Sequence, residues 1–452
     1  MLSTAEVAAR AGVHRDTLLR WLRENKVAEP QRDRHGWRAF TESEAANIAA
    51  YAGNQSDTSP EELRSLPGLE RLDWDFVGAR TAYLTHGLHP YPAKFIPQIP
   101  NALIQELSSV GETVADIFCG SGTTLLEALQ LKRNAVGVDA NPLAVLISKA
   151  KTTALNLEEM TEVSRHRAAC ARLHEAITPD ASDLFYNGLP FRSAGWRPDP
   201  EMCEFWFYPH VVEELAELSN MISALHGDAL RTLCQVCLSA IIVSVSLQDS
   251  DTRYVRREKA IEPGDTVRRY VAQLDNALVA VGELGDILES RFSCSLFEGD
   301  ILSSPSTEQF DLVVTSPPYP NAFSYHLYHR TRLLWLQHDQ QAFKRVEIGS
   351  HRKYSSKGAD RATEATFKSE FERIFVWLRA RLKDRKFACF VIGNSTLDGR
   401  LIDNADLISD AGASVGFREV KRIQRTIAAT RKAFNPKIGK IKTENVLILQ
   451  KV

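Results

Sequence analysis

Two short stretches carry residue types that could do chemistry. Asp116-Ile117-Phe118-Cys119-Gly120-Ser121-Gly122-Thr123-Thr124 sets two glycines between an apolar run and a helix-like run. Glycine takes backbone angles closed to other residues and lets a ligand come close to the main chain. The free N–H groups of a helix starting there add to the attraction. Asp139 closes the next apolar run, about 20 residues on, where nucleoside-binding α/β folds keep an acidic acceptor for ribose hydroxyls. A dinucleotide fingerprint would need a third Gly where Leu125 stands, and no Gly-Lys-Ser/Thr follows to make a phosphate loop. The second stretch, Thr315-Ser316-Pro317-Pro318-Tyr319, follows the apolar run 311–314. Two prolines cannot continue a ladder, so they stiffen a turn and leave carbonyls free as acceptors, at the strand end where α/β sheets bind ligands.

These stretches need a sheet to hold them. Runs 114–118 and 135–139 read as strands and 124–132 as the helix between them, a βαβ unit that implies a parallel sheet. Strand-type runs resume at 295–298, 311–315, 388–392 and 446–449. The expected fold is α/β and Rossmann-like, with a helical insertion and an N-terminal helical domain. Residues 1–50 form that small unit: a short helix closed by Gly12, a second helix carrying Leu18, Leu19, Trp21 and Leu22, and a wing-like turn at Gly36-Trp37. Residues 51–66 read as a linker, 67–151 as the cofactor half of the core, 152–290 as a helical insertion suited to target recognition, and 291–452 as the catalytic half.

The first stretch resembles the D-x-F-x-G-x-G-T-T signature of class I S-adenosylmethionine-dependent methyltransferases. The resemblance implies that Asp116, Phe118, Gly120, Gly122, Thr123 and Asp139 bind that cofactor. His89-Pro90-Tyr91-Pro92-Ala93-Lys94 resembles the segment that completes the cofactor pocket in amino-methyltransferases, which brings in Lys94; as a bare sequence it is also a proline-rich entry loop. Asp300, after Gly299, matches an acidic position near the cofactor adenine. Ser-Pro-Pro-Tyr resembles the motif of enzymes that methylate exocyclic amines of bases, with Ser316, Pro317, Pro318 and Tyr319 as the catalytic turn. In such enzymes two acceptors, here the Ser316 hydroxyl and the Pro317 carbonyl, hold the amine hydrogens while Tyr319 stacks on an extruded base. Serine in first place is typical of cytosine-N4 enzymes. Motif order departs from that type, because the turn follows the glycine loop by about 195 residues. The resemblance thus implies a DNA methyltransferase in a restriction-modification setting, with a cognate restriction enzyme as partner. An adenine-N6 or RNA amino-methyltransferase, and a non-enzymatic DNA-binding regulator on the same fold, stay open.

The N-terminal unit resembles MerR-type helix-turn-helix domains, which would place Arg15, Thr17 and Arg20 in a major groove of double-stranded DNA. Residues 418–442 hold nine Lys/Arg, among them Arg422, Arg425, Arg431 and Lys432, against one acidic residue, in a chain whose net charge is −2. That run is either a phosphate-binding surface or a solvated face. Arg253, Arg256 and Arg257, with Tyr254 among them, form a second basic run. The aromatic stretch 321–335 either positions a target strand or packs in the core.

Composition bounds the rest. At 452 residues, 44% hydrophobic and 25% charged, the chain is an ordinary globular one of two or three domains. Seven scattered cysteines point to a reducing compartment. Cys234 and Cys237 lack a second pair at zinc spacing and read as core residues, and no metal pattern is evident. No Pro-Cys dipeptide supports a covalent carbon-5 route. Neither a leader nor a membrane span is read, the most apolar run being 238–247, and a cytoplasmic location is expected.

Overall fold

The computed structural model describes residues 2–11, 13, 15–23, 26–32, 38–54, 66–178, 195–303, 308–321, 323–355, 361–427 and 443–452. Seven strands join in one sheet. In chain order they are β1 (Thr113–Asp116), β2 (Asn134–Asp139), β3 (Cys294–Glu298), β4 (Phe310–Thr315), β5 (Leu382–Gly393), β6 (Phe417–Thr426) and β7 (Thr443–Lys451). Their spatial order is β6-β7-β5-β4-β1-β2-β3. The first five are parallel to one another, and β7 lies antiparallel between β5 and β6. The expected α/β class holds.

The sheet is covered on both faces, so its central strands are apolar throughout, as in β4, where all six residues are buried. Alternation then sorts side chains by face. Ala388, Phe390 and Ile392 of β5 join Leu447 and Leu449 of β7 under the helices Glu364–Arg381 and Asn404–Ala413. Cys389 and Val391 join Val446 and Ile448 against the helices Gln98–Leu107 and Thr123–Gln130. The chain runs outward from β1 through β2 to β3 and then returns to β4 on the other side of β1. That reversal opens a crevice at the carboxyl ends of β1 and β4, the place where such sheets take ligands.

The insertion is helical as expected. Its helices Leu157–Ile177, Pro209–Ser223, Asp228–Val245 and Asp265–Gly285 form a core of their own against Leu143 and Ile147 of the helix Pro142–Thr152. Most of the apolar run 238–247 lies in an 18-residue helix, Asp228–Val245, long and apolar enough to cross a membrane. Two-thirds of it is buried in this core, and Cys234 and Cys237 are among its buried residues. The insertion also holds a hairpin, Gln248–Ser250 with Arg253–Arg256, which the sequence reading missed.

At the N-terminus the helices Thr4–Arg10, Arg15–Arg23 and Glu42–Asn54 share a small core of Val7, Leu18, Trp21, Leu22, Phe40 and Ile48. Strands Gln31–Arg32 and Arg38–Ala39 pair where a wing-like turn was expected; the turn residues Gly36 and Trp37 lie outside the described residues. The last helix of this head extends to Asn54, four residues into the stretch read as linker.

Candidate active site

The crevice is a cleft with an empty volume of about 810 Å³, its open mouth included. Lys94, Phe118, Gly120, Thr123, Asp139, Asp300, Ser316 and Pro318 all line it, so the structure brings both motifs and both flanking pieces to one place. Gly120 and Gly122 have φ of +49° and +74°, the left-handed region that favours glycine. The turn between β1 and the helix Thr123–Gln130 is therefore written into these two residues. Asp139, at the end of β2, accepts from Gly120 N and Asn141 N, both at 2.8 Å. One carboxylate thus shapes the glycine loop and faces the cleft beside it. Burial pushes this carboxyl up to about 6, against the opposing pull of the two N–H groups.

The groups that line the cleft match those of S-adenosylmethionine. Ser121 Oγ is buried against the cleft without a protein partner, an orphan that a polar ligand group satisfies. Asp139 offers lone pairs to a diol, and the apolar walls Phe118, Ile117, Ile301 and Ile348 suit an adenine ring. The residues present fit that cofactor.

Several motif residues have other duties. Asp116 does not line the cleft. It is 1% exposed and accepts from Thr315 Oγ1 at 2.6 Å and from Phe118 N at 3.2 Å, which ties the glycine loop to the catalytic turn. Gly122 faces Ser148, whose side chain and Cα would sit 2.8–3.0 Å from an added Cβ; its part is close helix packing. Pro317 is buried and Tyr319 does not line the cleft. The Tyr319 hydroxyl donates to Glu444 Oε2 at 3.4 Å. The Ser316 hydroxyl donates to Val391 O of β5 at 3.0 Å, and the residue lines the cleft.

Residues to which the motifs assigned no role also line the cleft. Tyr91 and Tyr325 stack at 5.9 Å between centroids, and Asn141 Nδ2 donates to Tyr91 Oη at 3.2 Å. Phe343 and Val346 come from the helix Gln340–Val346, which carries no sequence signal. The adjacent Glu347 accepts from Tyr325 N at 2.5 Å and contacts His326 Nδ1 at 2.6 Å, so it fixes the start of the aromatic stretch.

A chain of hydrogen bonds runs behind the glycine loop. Lys94 Nζ donates to His86 O at 2.9 Å, His86 Nε2 meets Glu127 Oε1 at 2.7 Å, and Asn101 Nδ2 donates to Glu127 Oε2 at 2.6 Å. Burial holds His86 down at about 4, so it is neutral at pH 7 and its Nε2–H donates to the carboxylate. Gln105 bonds Asn101 at 2.5 Å and takes the Thr17 hydroxyl from the head.

The expected nucleic-acid residues fare unevenly. Thr17 is buried against Gln105 and so turned from solvent. The side chains of Arg15 and Arg20, and all of Arg431 and Lys432, lie outside the described residues. Arg425 is a structural residue: 6% exposed, it pairs with Glu444 and donates to Trp74 O at 2.7 Å. Arg422 is engaged by Glu419 at 2.8 Å and Asp406 at 2.6 Å. Arg256 binds Glu258 and Phe205 O, while Arg253 and Arg257 share Asp249. Removing one partner of a buried pair leaves the other charge unpaired, at a cost of about 3–5 kcal/mol. Arg425→Ala should therefore lower the stability read by chemical denaturation by that order, and Arg422→Ala by far less.

Residues 23–150 match the model of a family described as DNA methylase. The glycine loop and Asp139 fall inside that match. The chain is 30% identical over 281 residues to the type II methyltransferase M.MvaI of Kocuria varians, covering 58% of this chain and 59% of that protein. It is 21% identical over 374 residues to the type II methyltransferase M.MjaII of Methanocaldococcus jannaschii, covering 64% and 70%. The chain thus spans about three-fifths of the length of the first of these. Among solved structures, a TehB-like SAM-dependent methyltransferase from Corynebacterium glutamicum aligns at 9% identity over 78% of this chain and 87% of that one, with a TM-score of 0.28.

Proposed function

We propose that this chain is a DNA amino-methyltransferase. It would transfer the methyl group of S-adenosylmethionine to the exocyclic amine of a base in duplex DNA, with cytosine N4 as the acceptor, in a restriction-modification setting. The observation that carries the reading is the orientation of Ser316. Because its hydroxyl proton is committed to Val391 O, only its lone pairs remain for an incoming group. An oxygen locked as an acceptor, beside the cofactor cleft, is what an amine N–H requires.

S-adenosylmethionine, when bound, supplies an electrophilic methyl group. The protein's part is to place the nucleophile. In a base the amine lone pair is delocalised into the ring. Ser316 Oγ, with the Pro317 carbonyl as the second acceptor, would hold the two amine hydrogens so that the lone pair turns toward the methyl group at near-attack distance. The same acceptors stabilise positive charge growing on nitrogen. Asp139 would hold the ribose, and the stiff Pro-Pro turn keeps Ser316 from retreating. The type II methyltransferase relatives favour DNA over RNA. The head would add groove contacts through the helix Arg15–Arg23.

Two measurements test this. Labelled S-adenosylmethionine with unmethylated genomic DNA, followed by nucleoside mass spectrometry, should give N4-methylcytosine. N6-methyladenine would retain the mechanism and replace the base; no label in DNA, with cofactor bound, would overturn the reading. The second is pH dependence of cofactor affinity. The ionised Asp139 carboxylate is the stronger acceptor for the ribose hydroxyls, and burial pushes its carboxyl up to about 6. Affinity by calorimetry should be flat above pH 7 and fall up to about tenfold per unit below pH 6.

A further inference from the structure

The rings that line the cleft do not stop at its mouth. Tyr325 stands in the cleft; Phe323 is 5.8 Å from it, Tyr328 is 5.9 Å from Phe323, and Tyr254 of the hairpin is 5.9 Å from Tyr328, all between centroids. The four rings make a continuous track, each partly exposed, from the Ser316 side of the protein out to the hairpin of the insertion. At its outer end Arg352 lies over the Tyr254 ring at 6.0 Å and donates to its hydroxyl at 3.0 Å. Arg352 is exposed, and among the described residues no carboxylate pairs with it.

The track is held rigidly. Gln248 of the hairpin donates to Tyr328 O at 3.0 Å and accepts from Thr331 Oγ1 at 3.1 Å. Arg332, wholly buried, clasps Asp251 at the hairpin turn and donates to Ser239 O at 2.9 Å. Burying a guanidinium is costly unless its partners are fixed, so this clasp sets the angle between the hairpin and the aromatic stretch. Partly exposed, pre-set aromatic faces with an unpaired guanidinium at one end are the chemistry of nucleic-acid strands: bases stack on rings and phosphates meet Arg.

Resting on the reading above, we infer that the target strand of DNA enters along this track, with its bases against Tyr254, Tyr328 and Phe323 and a phosphate on Arg352, and that the basic run 418–426 is not its path. Of the four described cations of that run, Lys421, Arg422 and Arg425 are held by carboxylates, and Arg418 donates to Gln450 Oε1 at 3.4 Å. Tyr325 then presents the target base to Ser316.

The test uses the full chain with unmethylated genomic DNA as acceptor. Stacking of one base changes affinity about 5- to 100-fold. Tyr254→Ala and Arg352→Gln should each raise KM for DNA at least fivefold, with kcat at saturating DNA and the Kd for S-adenosylmethionine held within twofold. Tyr254→Trp should restore KM, which a merely structural role for Tyr254 would not allow. Arg352 is exposed, so its variant reads the track even if Tyr254→Ala folds poorly. Methylation with KM unchanged in Arg352→Gln and Tyr254→Ala would overturn the track and leave the methyltransferase reading intact. A wild-type chain that binds S-adenosylmethionine and methylates no DNA would overturn both.

Discussion

Ser316→Ala is expected to cut methyl transfer by about 10²- to 10³-fold, the loss seen when one pre-set group that stabilises developing charge is removed. The reason lies in the commitment of the Ser316 proton to β5. A serine free to rotate would offer an amine either a donor or an acceptor, but this one offers an acceptor alone. The alanine variant keeps the Pro-Pro turn, the Asp116 tie to Thr315 and every residue that lines the cofactor side of the cleft. Its affinity for S-adenosylmethionine should stay within twofold by calorimetry, and its melting temperature within a few degrees. Single-turnover rates at saturating DNA then isolate the chemical step. A rate within threefold of wild type would remove Ser316 from the mechanism. Tyr319→Ala, by contrast, should lose stability through its packing against the core under the helix Glu364–Arg381 and its bond to Glu444, since its ring does not line the cleft.

Asp139→Ala is expected to weaken cofactor binding by at least about 100-fold. Hydrogen bonds to a charged group contribute about 1.5–3 kcal/mol each, and the substitution removes the acceptor of the ribose hydroxyls. It also frees Gly120 N and Asn141 N, so the glycine loop loses the group that shapes it. Asp139→Asn keeps one acceptor oxygen and the side-chain size. Its loss should be smaller, and its affinity should lose the decline below pH 6, because the carboxyl that would hold the ribose is gone. A pH-dependent affinity in Asp139→Asn equal to that of wild type would move the titration to Asp116, which burial likewise pushes up to about 6.

The βαβ unit and the two strand-end motifs were legible because each is local. The glycines, the acid and the Pro-Pro turn state their backbone geometry within a few residues. What sequence could not show was pairing across the fold. In the run 418–442 the sequence could not show which cations are paired: among the described residues Lys421, Arg422 and Arg425 meet Glu70, Asp406 and Glu444, which come from other elements. Strand β6, inside that run, went unseen for the same reason: an edge strand rich in cations lacks the apolar alternation by which a half-buried strand is read. Tyr319 looked like a stacking residue by motif position, while the rings that do border the cleft, Tyr91 and Tyr325, sit 234 residues apart and meet only in three dimensions. Thr17 was read as a groove contact from helix position alone, with no sign in the sequence that Gln105 would cover it.

The sheet closes in an order with consequences for synthesis. β7, made after the other six strands of this sheet, fits between β5 and β6, and β6 in turn takes Trp74 O and Asp75 through Arg425 and Thr426. The segment around Trp74 therefore waits for partners about 350 residues later, and the edge of β5 stays uncovered until residues 443–451 leave the ribosome. At roughly 5–20 residues per second this exposure of the early segment lasts on the order of 20–70 s. Contacts so distant in sequence also slow folding, because loop closure must precede any gain from them. The nascent chain should thus depend on chaperones that shield an open apolar strand edge, and truncation before β7 should yield aggregates rather than a smaller folded domain.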